Sequence, residues 1–427
     1  MTCYYISHYL YTIFKQNILI HVYTFNIDLH VYADILAHRC KLNGNLLMNS
    51  ADKQSTKKPP LIWLNIFVFS FSMLLAVVAA PVYGYFFGYG MEHWIWLAIC
   101  FTFCNLSITT GYHRLWSHKA FEAHSSLRFL FSLGGAFALQ NSALHWSSDH
   151  RVHHKHVDNN DKDPYSAKRG FWYSHIGWMI RNYSTSMYEN YENCRDLKKD
   201  KIVMWQHKHY VLLALLMNFG VPIALGVIYG DVLGMLLIVG AVRLVLNHHT
   251  TFFINSLAHI WGSQPFTDKN TARDNGVLAV LTFGEGYHNF HHIFENDYRN
   301  GIYWWQYDPT KWLIKSASLM GLASKLKKTP QARIEKAEAS MLLKRTQQKI
   351  MHRADKQQIA DKLQQEFDAL VSNMNEYYEV KKQLLESKRE DVVKKYEHSL
   401  LKVRYQQIKM NFEQQKKNWA MTVEQYA

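Results

Sequence analysis

The chain has 427 residues, 48% of them hydrophobic and 15% aromatic, with a formal net charge of +14. Its five cysteines form no CxxC pair, which excludes a disulfide scaffold and fits a reducing compartment. The positive balance suits an anionic membrane surface or a polyanionic head group, and no motif points to nucleic acid.

Residues 1–47 carry aromatic and β-branched residues without a helical or alternating period. They have no basic n-region and no small-residue cleavage site, so they do not read as a signal peptide. We expect a poorly structured extension here, with Met48 opening the protein proper. Four runs then lack charge: Leu61 to Ala80, Trp94 to Gly111, Tyr210 to Tyr229, and Val232 to Asn247, the last interrupted only by Arg243. Each approaches the roughly 20 residues that cross a bilayer, so four transmembrane helices are expected. Phe87 to His93 holds no Lys or Arg, and the link around Gly230 and Asp231 is short. Lys57 and Lys58 precede the first run, while Arg114 and Lys119 follow the second. The bias of basic residues places both termini and residues 113–209 on the cytoplasmic side.

From Lys325 onward the composition turns to Lys, Glu, Gln and Ala, and Gly and Pro vanish after Pro330. Leu363, Phe367, Leu370, Met374, Tyr377 and Leu384 follow a 4-3 spacing. After a slip, Val393, Tyr396, Leu400, Val403 and Met410 resume it. The pattern predicts a coiled-coil-like tail over 326–427, reaching roughly 140 Å if continuous. Such a tail serves assembly, pairing with itself or another protein or folding back on the cap, and is dispensable for chemistry; the slip between Leu384 and Val393 favours two segments with a hinge over one straight coil. The division expected is 1–47, 48–325 and 326–427.

The chemistry-bearing pattern is histidine. "HRLWSH" holds His113 and His118. "HRVHH" holds His150, His153 and His154 at i, i+3, i+4, which lines three imidazoles on one helix face. "NSLAH" offers Asn255 and His259, and "HNFHH" holds His288, His291 and His292. One metal accepts at most about six ligands, so nine histidines imply two metals. Structural zinc favours four ligands, usually with Cys, and does not match. Imidazole sets with an open position suit iron or copper redox chemistry. No GxGxxG after a strand, P-loop or CxxCH is present, so electrons must arrive from another protein.

"GYHRLWSH", "DHRVHHKH", "DPYSAKRGFWYSHIGWM", "NSLAH" and "GEGYHNFHH" together resemble the membrane fatty acyl-CoA desaturase family, the stearoyl-CoA desaturase group. The likeness runs from about Leu61 to about Leu326 and points to a bacterial member in the inner membrane, or to the endoplasmic reticulum if the protein is eukaryotic. It implies an all-α membrane fold, four helices under a cytoplasmic cap, with the acyl chain kinked in a tunnel. It implies two iron ions (Fe2+/Fe3+) and O2 as co-substrate. The reaction is insertion of a cis double bond, of the delta-9 type, into a long-chain acyl-CoA. An unactivated methylene resists acids, bases and nucleophiles, and a dry tunnel confines the oxidant that attacks it. The electron donor implied is a ferredoxin, a rubredoxin-like protein, or cytochrome b5 with its reductase; no "HPGG" haem segment is present in the chain.

By the same resemblance, His113, His118, His150, His154 and His291 hold the first iron. His153, His259, His288 and His292 hold the second, with Asn255 reaching it through water. His124, His145, His156, His175, His248 and His249 are supporting residues. Asn141, Asp149 and Arg181 match acyl-CoA contacts, and Trp146 and Trp178 match family positions. Ser148 stands where animal members carry an arginine, and Phe252 where they carry a tryptophan. Those departures keep an acyl-phospholipid desaturase in view, beside a related hydroxylase. A non-enzymatic membrane scaffold organised by the tail is the third possibility.

Overall fold

The computed structural model describes residues 58–183, 190–387 and 395–426. The 1–47 extension, Met48 and Val393 lie outside the described residues, as does the side chain of Tyr396. Residues 1–59 and 60–427 form separate units, and the second is described here.

Among the described residues four helices are long and apolar enough to span a membrane, two on each side of the central cap sequence. In chain order come α1 (Trp63–Phe87), α2 (Met91–Ser117), α3 (Ser125–Phe137), α4 (Ala143–His156), α5 (Lys201–Lys208), α6 (Tyr210–Tyr229) and α7 (Val232–His259). The spans form two hairpins. Gly88 (φ +74°) ends α1 and Gly230 (φ +82°) turns α6 into α7, both in backbone that a side chain strains. Phe67, Val77, Phe86, Val227 and Ile228 stand exposed around the spans, as lipid-facing residues must. Cys104, Ile108, Met235 and Val239 face inward and are buried.

Both α2 and α7 run past their apolar sequence. The histidine-bearing stretches continue the same helices, so ligating residues sit on rigid stalks. From Ser107 to Ser117, α2 is wound as a π-helix, and His118 N–H donates to His113 O at 3.1 Å. Such wider turns recur at functional sites, because they rotate the side chains that follow.

The cap consists of α4 and α5 with α8 (Gly276–Leu281), α9 (His288–Ile293) and α10 (Pro309–Leu319), and an antiparallel pair β1 (Glu122–Ala123) and β2 (Ala323–Ser324). Ser142 caps α4, Asp200 caps α5, Asn275 caps α8 and Asp308 caps α10, each accepting from a first-turn N–H. Trp116, Phe121, Leu144, Leu197 and Ile314 share one core with the inner faces of α2 and α7.

The tail is not one continuous helix. It forms α11 (Gln331–Lys349), α12 (Lys356–Ser387) and α13 (Lys395–Tyr426). Phe367 meets Trp419, Tyr377 meets Tyr405 and Phe412, and Gln415 bonds Glu366, so α12 and α13 run antiparallel. Tyr378 and Lys416 both reach Glu335 of α11, closing a three-helix bundle. The first half of the expected seam is correct: Leu363, Leu370 and Met374 are buried. The second half is not, for Leu400, Val403 and Met410 are exposed and α13 buries Ile408, Phe412, Trp419 and Val423 instead. A 4-3 spacing existed on both faces of α13, and the aromatic-containing one won the core. Only the first half of the apolar seam is thus covered within the chain, and Leu400, Val403 and Met410 leave the second half exposed.

α11 also packs on the cap. Ile334 is fully buried with Phe266, Phe290 and Phe294, and Tyr303 bonds Glu338 while Lys344 pairs with Asp268. Phe290 and Phe294 flank His291 and His292, so the first tail helix belongs to the packing around that cluster.

Candidate metal centre and its cavity

Nine imidazoles converge into two groups. His113, His118, His150, His154 and His291 form one; His153, His259, His288 and His292 form the other; within each, the potential ligand atoms all lie within 4.8 Å of one another. The stalks explain the sorting. α2 supplies His113 and, just past its end, His118. One face of α4 supplies His150 and His154, while His153 lies a third of a turn round and falls to the other group. α9 splits likewise, His291 going one way and His288 and His292 the other.

Nε2 atoms face each other: His113 to His291 at 2.9 Å, His118 to His150 at 2.8 Å, and His154 to His291 at 3.0 Å. In the second group His259 to His288 is 3.1 Å, His288 to His292 is 3.1 Å, and His153 to His292 is 3.3 Å. Two nitrogens bound at right angles to one metal, each about 2.1 Å from it, lie about 3.0 Å apart. Nine lone pairs crowded at that separation have no other common purpose.

Five of the opposite ring nitrogens have a polar neighbour, whereas the buried Nδ1 atoms of His288 and His291 have no hydrogen-bond partner among the described residues. His153 Nδ1 lies 2.9 Å from Asp163, His113 Nδ1 2.8 Å from Glu285, and His154 Nδ1 3.2 Å from Glu295. His259 Nδ1 lies 2.9 Å from Thr271 Oγ1 and His150 Nδ1 3.2 Å from Tyr165 OH. A proton held on Nδ1 leaves Nε2 free to ligate. Burial, reinforced by repulsion among neighbours, pushes His118, His150, His288, His291 and His292 well below the usual imidazole range, and His154 to about 4. Neutral imidazole is the ligating form. Although burial opposes ionisation, His153 and two backbone N–H groups hold the Asp163 carboxyl below its ordinary range. Glu285 is also held down, by His113 and Arg114. Arg114 donates to both Glu285 (2.9 Å) and Asp308 (3.0 Å), locking these buried charges into one network.

A cavity of about 520 Å³ opens beside the first group, with His113 and His150 in its wall. Its other walls include Val68, Phe69, Ile108, Phe252 and Ile254, and the expected residues Asn141, Trp146, Asp149, Trp178 and Asn255. Burial lifts the Asp149 carboxyl above its usual range, against the pull of His145 at 3.4 Å. Arg181 does not line the cavity; its backbone bridges Leu61. Buried Ser148 donates to Asn193 at 2.8 Å. The six supporting histidines stay outside both groups. His124 caps α3, His145 meets Asp149, His175 pairs with His249 at 3.0 Å, and His248 bonds backbone carbonyls. His156 presents a buried Nε2 with no hydrogen-bond partner. The carboxylates behind the imidazoles were missed from sequence, although "DKDPYS" and "GEGYH" contain two of them. Nothing in their spacing announces which imidazole they touch. Gln140, Thr251 and Tyr210 were missed for the same reason.

Four membrane helices, counted among the described residues, with a histidine-rich, two-centre candidate metal site define an integral membrane protein with the ligand set of a metal centre. A family model for fatty acid desaturase matches residues 92–324, more than half the chain, and the chain belongs to that family. It is 47% identical over 243 residues to a probable acyl-CoA desaturase of Schizosaccharomyces pombe, covering 57% of this chain and 50% of that one. It is 41% identical over 297 residues to acyl-CoA desaturase 1 of Saccharomyces cerevisiae (68% and 56%), and 33% identical over 290 residues to stearoyl-CoA desaturase 5 of Bos taurus (65% and 83%). The chain thus spans about half the length of the two yeast relatives. Their fungal origin leaves the bacterial expectation without support.

Proposed function

We propose that the protein is an oxygen-dependent acyl-CoA desaturase that inserts a cis double bond, of the delta-9 type, into a long-chain acyl chain. The observation that carries this reading is the pair of all-imidazole sets, nine Nε2 atoms in all, beside an apolar-walled cavity. His113, His118, His150, His154 and His291 would hold one iron and His153, His259, His288 and His292 the other, with Asn255 reaching the second through water. Bound iron supplies the oxidation: two hydrogens leave adjacent methylenes, and O2 leaves as two waters after taking two further electrons and two protons.

The chain's own residues do the rest. Val68, Phe69, Ile108 and Ile254 offer the acyl chain an apolar wall and exclude water. Asp163, Glu295 and Glu285 hold Nδ1 protons and so orient the rings. Asn141 and Asp149 lie in the cavity wall, placed to meet the polar end of the substrate. Arg181, outside that wall, would meet the CoA phosphates. An external donor, a ferredoxin, a rubredoxin-like protein or cytochrome b5, supplies the electrons. The histidine end faces the cytoplasm by the bias of basic residues, and the fungal relatives favour the endoplasmic reticulum.

One observation favours a second reading. Ser148 is bonded to Asn193 and offers no cation for a nucleotide phosphate, which suits an acyl lipid drawn from the bilayer. Mass spectrometry of products from acyl-CoA and from acyl-phospholipid, each offered to the purified protein with donor, tests both. A monoene two mass units below the acyl-CoA supports the proposal. Product from phospholipid alone supports the second reading, and an oxygenated chain refutes both.

A further inference from the structure

Arg243 lies midway along α7, inside the membrane, and is fully buried. Its guanidinium touches no carboxylate among the described residues. An arginine in that setting is costly unless its donors are satisfied, and such residues usually mark function. Here each nitrogen is used: Nε donates to Val239 O of its own helix (3.0 Å), Nη1 to Phe137 O (2.7 Å), and Nη2 to Asn218 Oδ1 of α6 (2.7 Å).

Phe137 ends α3. The last carbonyls of a helix have no partner within it, and inside a bilayer no water replaces one. Three side chains from α6 and α7 meet four successive carbonyls at this end. Asn218 Nδ2 donates to Ala136 O (3.2 Å), Arg243 Nη1 to Phe137 O, and His248 Nε2 to Ala138 O (3.2 Å) and Leu139 O (3.3 Å). The cation also sits where a helix C-terminus is negative. Gly134 and Gly135 let α3 reach this place, since a Cβ on either would overlap Ser107 or Tyr112 of α2.

What the cradle holds is the turn 138–142. Leu139 (φ +52°) and Asn141 (φ +73°) both occupy left-handed backbone, a conformation that persists only where the surroundings enforce it. Leu139, Gln140 and Asn141 line the cavity, and α4, which carries His150, His153 and His154, begins at Ala143. The same turn therefore connects the cavity wall to the metal-facing helix.

We infer that Arg243, with Asn218 and His248, is a positioning residue: an intramembrane clamp on the 138–142 turn that sets which methylenes of the bound chain face the histidine sets. The inference rests on the desaturase reading. Loosening the clamp lets the wall move relative to α4, so the reacting carbon pair becomes less defined. A shift of about 1 Å costs on the order of a hundredfold in rate, and neighbouring methylenes differ by about that distance.

The test is product analysis, with Arg243→Met, Arg243→Lys and Asn218→Ser in the full chain, fed saturated chains of two lengths in a desaturase-deficient host. Double-bond position is read by mass spectrometry, and iron per chain is measured on the same purified proteins. Wild type is expected to give one bond position. Arg243→Met is expected to lose tenfold to a hundredfold in total product and to spread the bond over neighbouring positions, at unchanged iron content. Arg243→Lys should restore most of the single position. A single wild-type position in both Arg243→Met and Asn218→Ser overturns the inference, whatever their yield. If Arg243→Met does not accumulate, Asn218→Ser decides alone, because it keeps the charge. A wild-type protein that makes no unsaturated product defeats the desaturase reading itself, and the inference with it.

Discussion

The cap and the tail are both helical and both patterned, yet their patterns carried different information. In the cap, His150, His153 and His154 announce themselves by residue type as well as by spacing, and the fold delivers all three to the two groups. In the tail, Leu363 to Leu384 and Leu400 to Met410 share one spacing, yet Leu363 is fully buried and Val403 is 69% exposed. Periodicity gives the helix and a face; it does not give what covers that face. Imidazoles can be satisfied together in few ways, whereas a leucine accepts any apolar neighbour.

This contrast can be broken at its strongest point first. His153→Ala and His292→Ala each remove an imidazole from the four-histidine group, so desaturated product should fall to background while protein still accumulates in the membrane. Gas chromatography of host fatty acids reads the outcome, and near-wild-type product from either variant would break the assignment. Ile334→Asp comes next. It puts a charge among Phe266, Phe290 and Phe294, which should loosen α9 and lower both iron content and turnover several-fold; the milder Ile334→Ala should cost about 2–5 kcal/mol of cap stability. Full activity in Ile334→Asp would support the expectation that everything past Pro330 is dispensable for chemistry. Asp163→Ala should weaken the four-histidine group about 10- to 100-fold in metal affinity by removing the carboxylate that orients the His153 ring, measured by chelator competition. At the small end, Leu363→Ala should cost about 2–5 kcal/mol of bundle stability. Val403→Ser should stay within about 0.5 kcal/mol. Equal effects in a denaturation series would mean that α13 presents the other face.

The physical reasons for what was legible follow the same line. Charge-free runs expose a solvent, the bilayer, and so the four spans were readable within a few residues. The ends were less so, since α2 and α7 extend polar histidine-bearing turns beyond the apolar stretch. Which histidine joins which group came from the resemblance, not from spacing, and the fold assembles the same two sets. Asp163, Glu285 and Glu295 were hidden because a carboxylate's partner depends on tertiary placement. Arg243 was visible as an interruption, but the carbonyls it meets belong to a helix about a hundred residues earlier. The tail's fold-back brings α12 against α13, whereas the sequence shows only that the heptad phase slips between Leu384 and Val393.

The central claim is that nine histidines hold two irons, five on one and four on the other. Metal analysis of the purified full chain by mass spectrometry, with iron and zinc measured against protein, tests it most directly. Two irons per chain are expected in the wild type and about one in His153→Ala. A single metal per chain in the wild type, or stoichiometric zinc in place of iron, would contradict it.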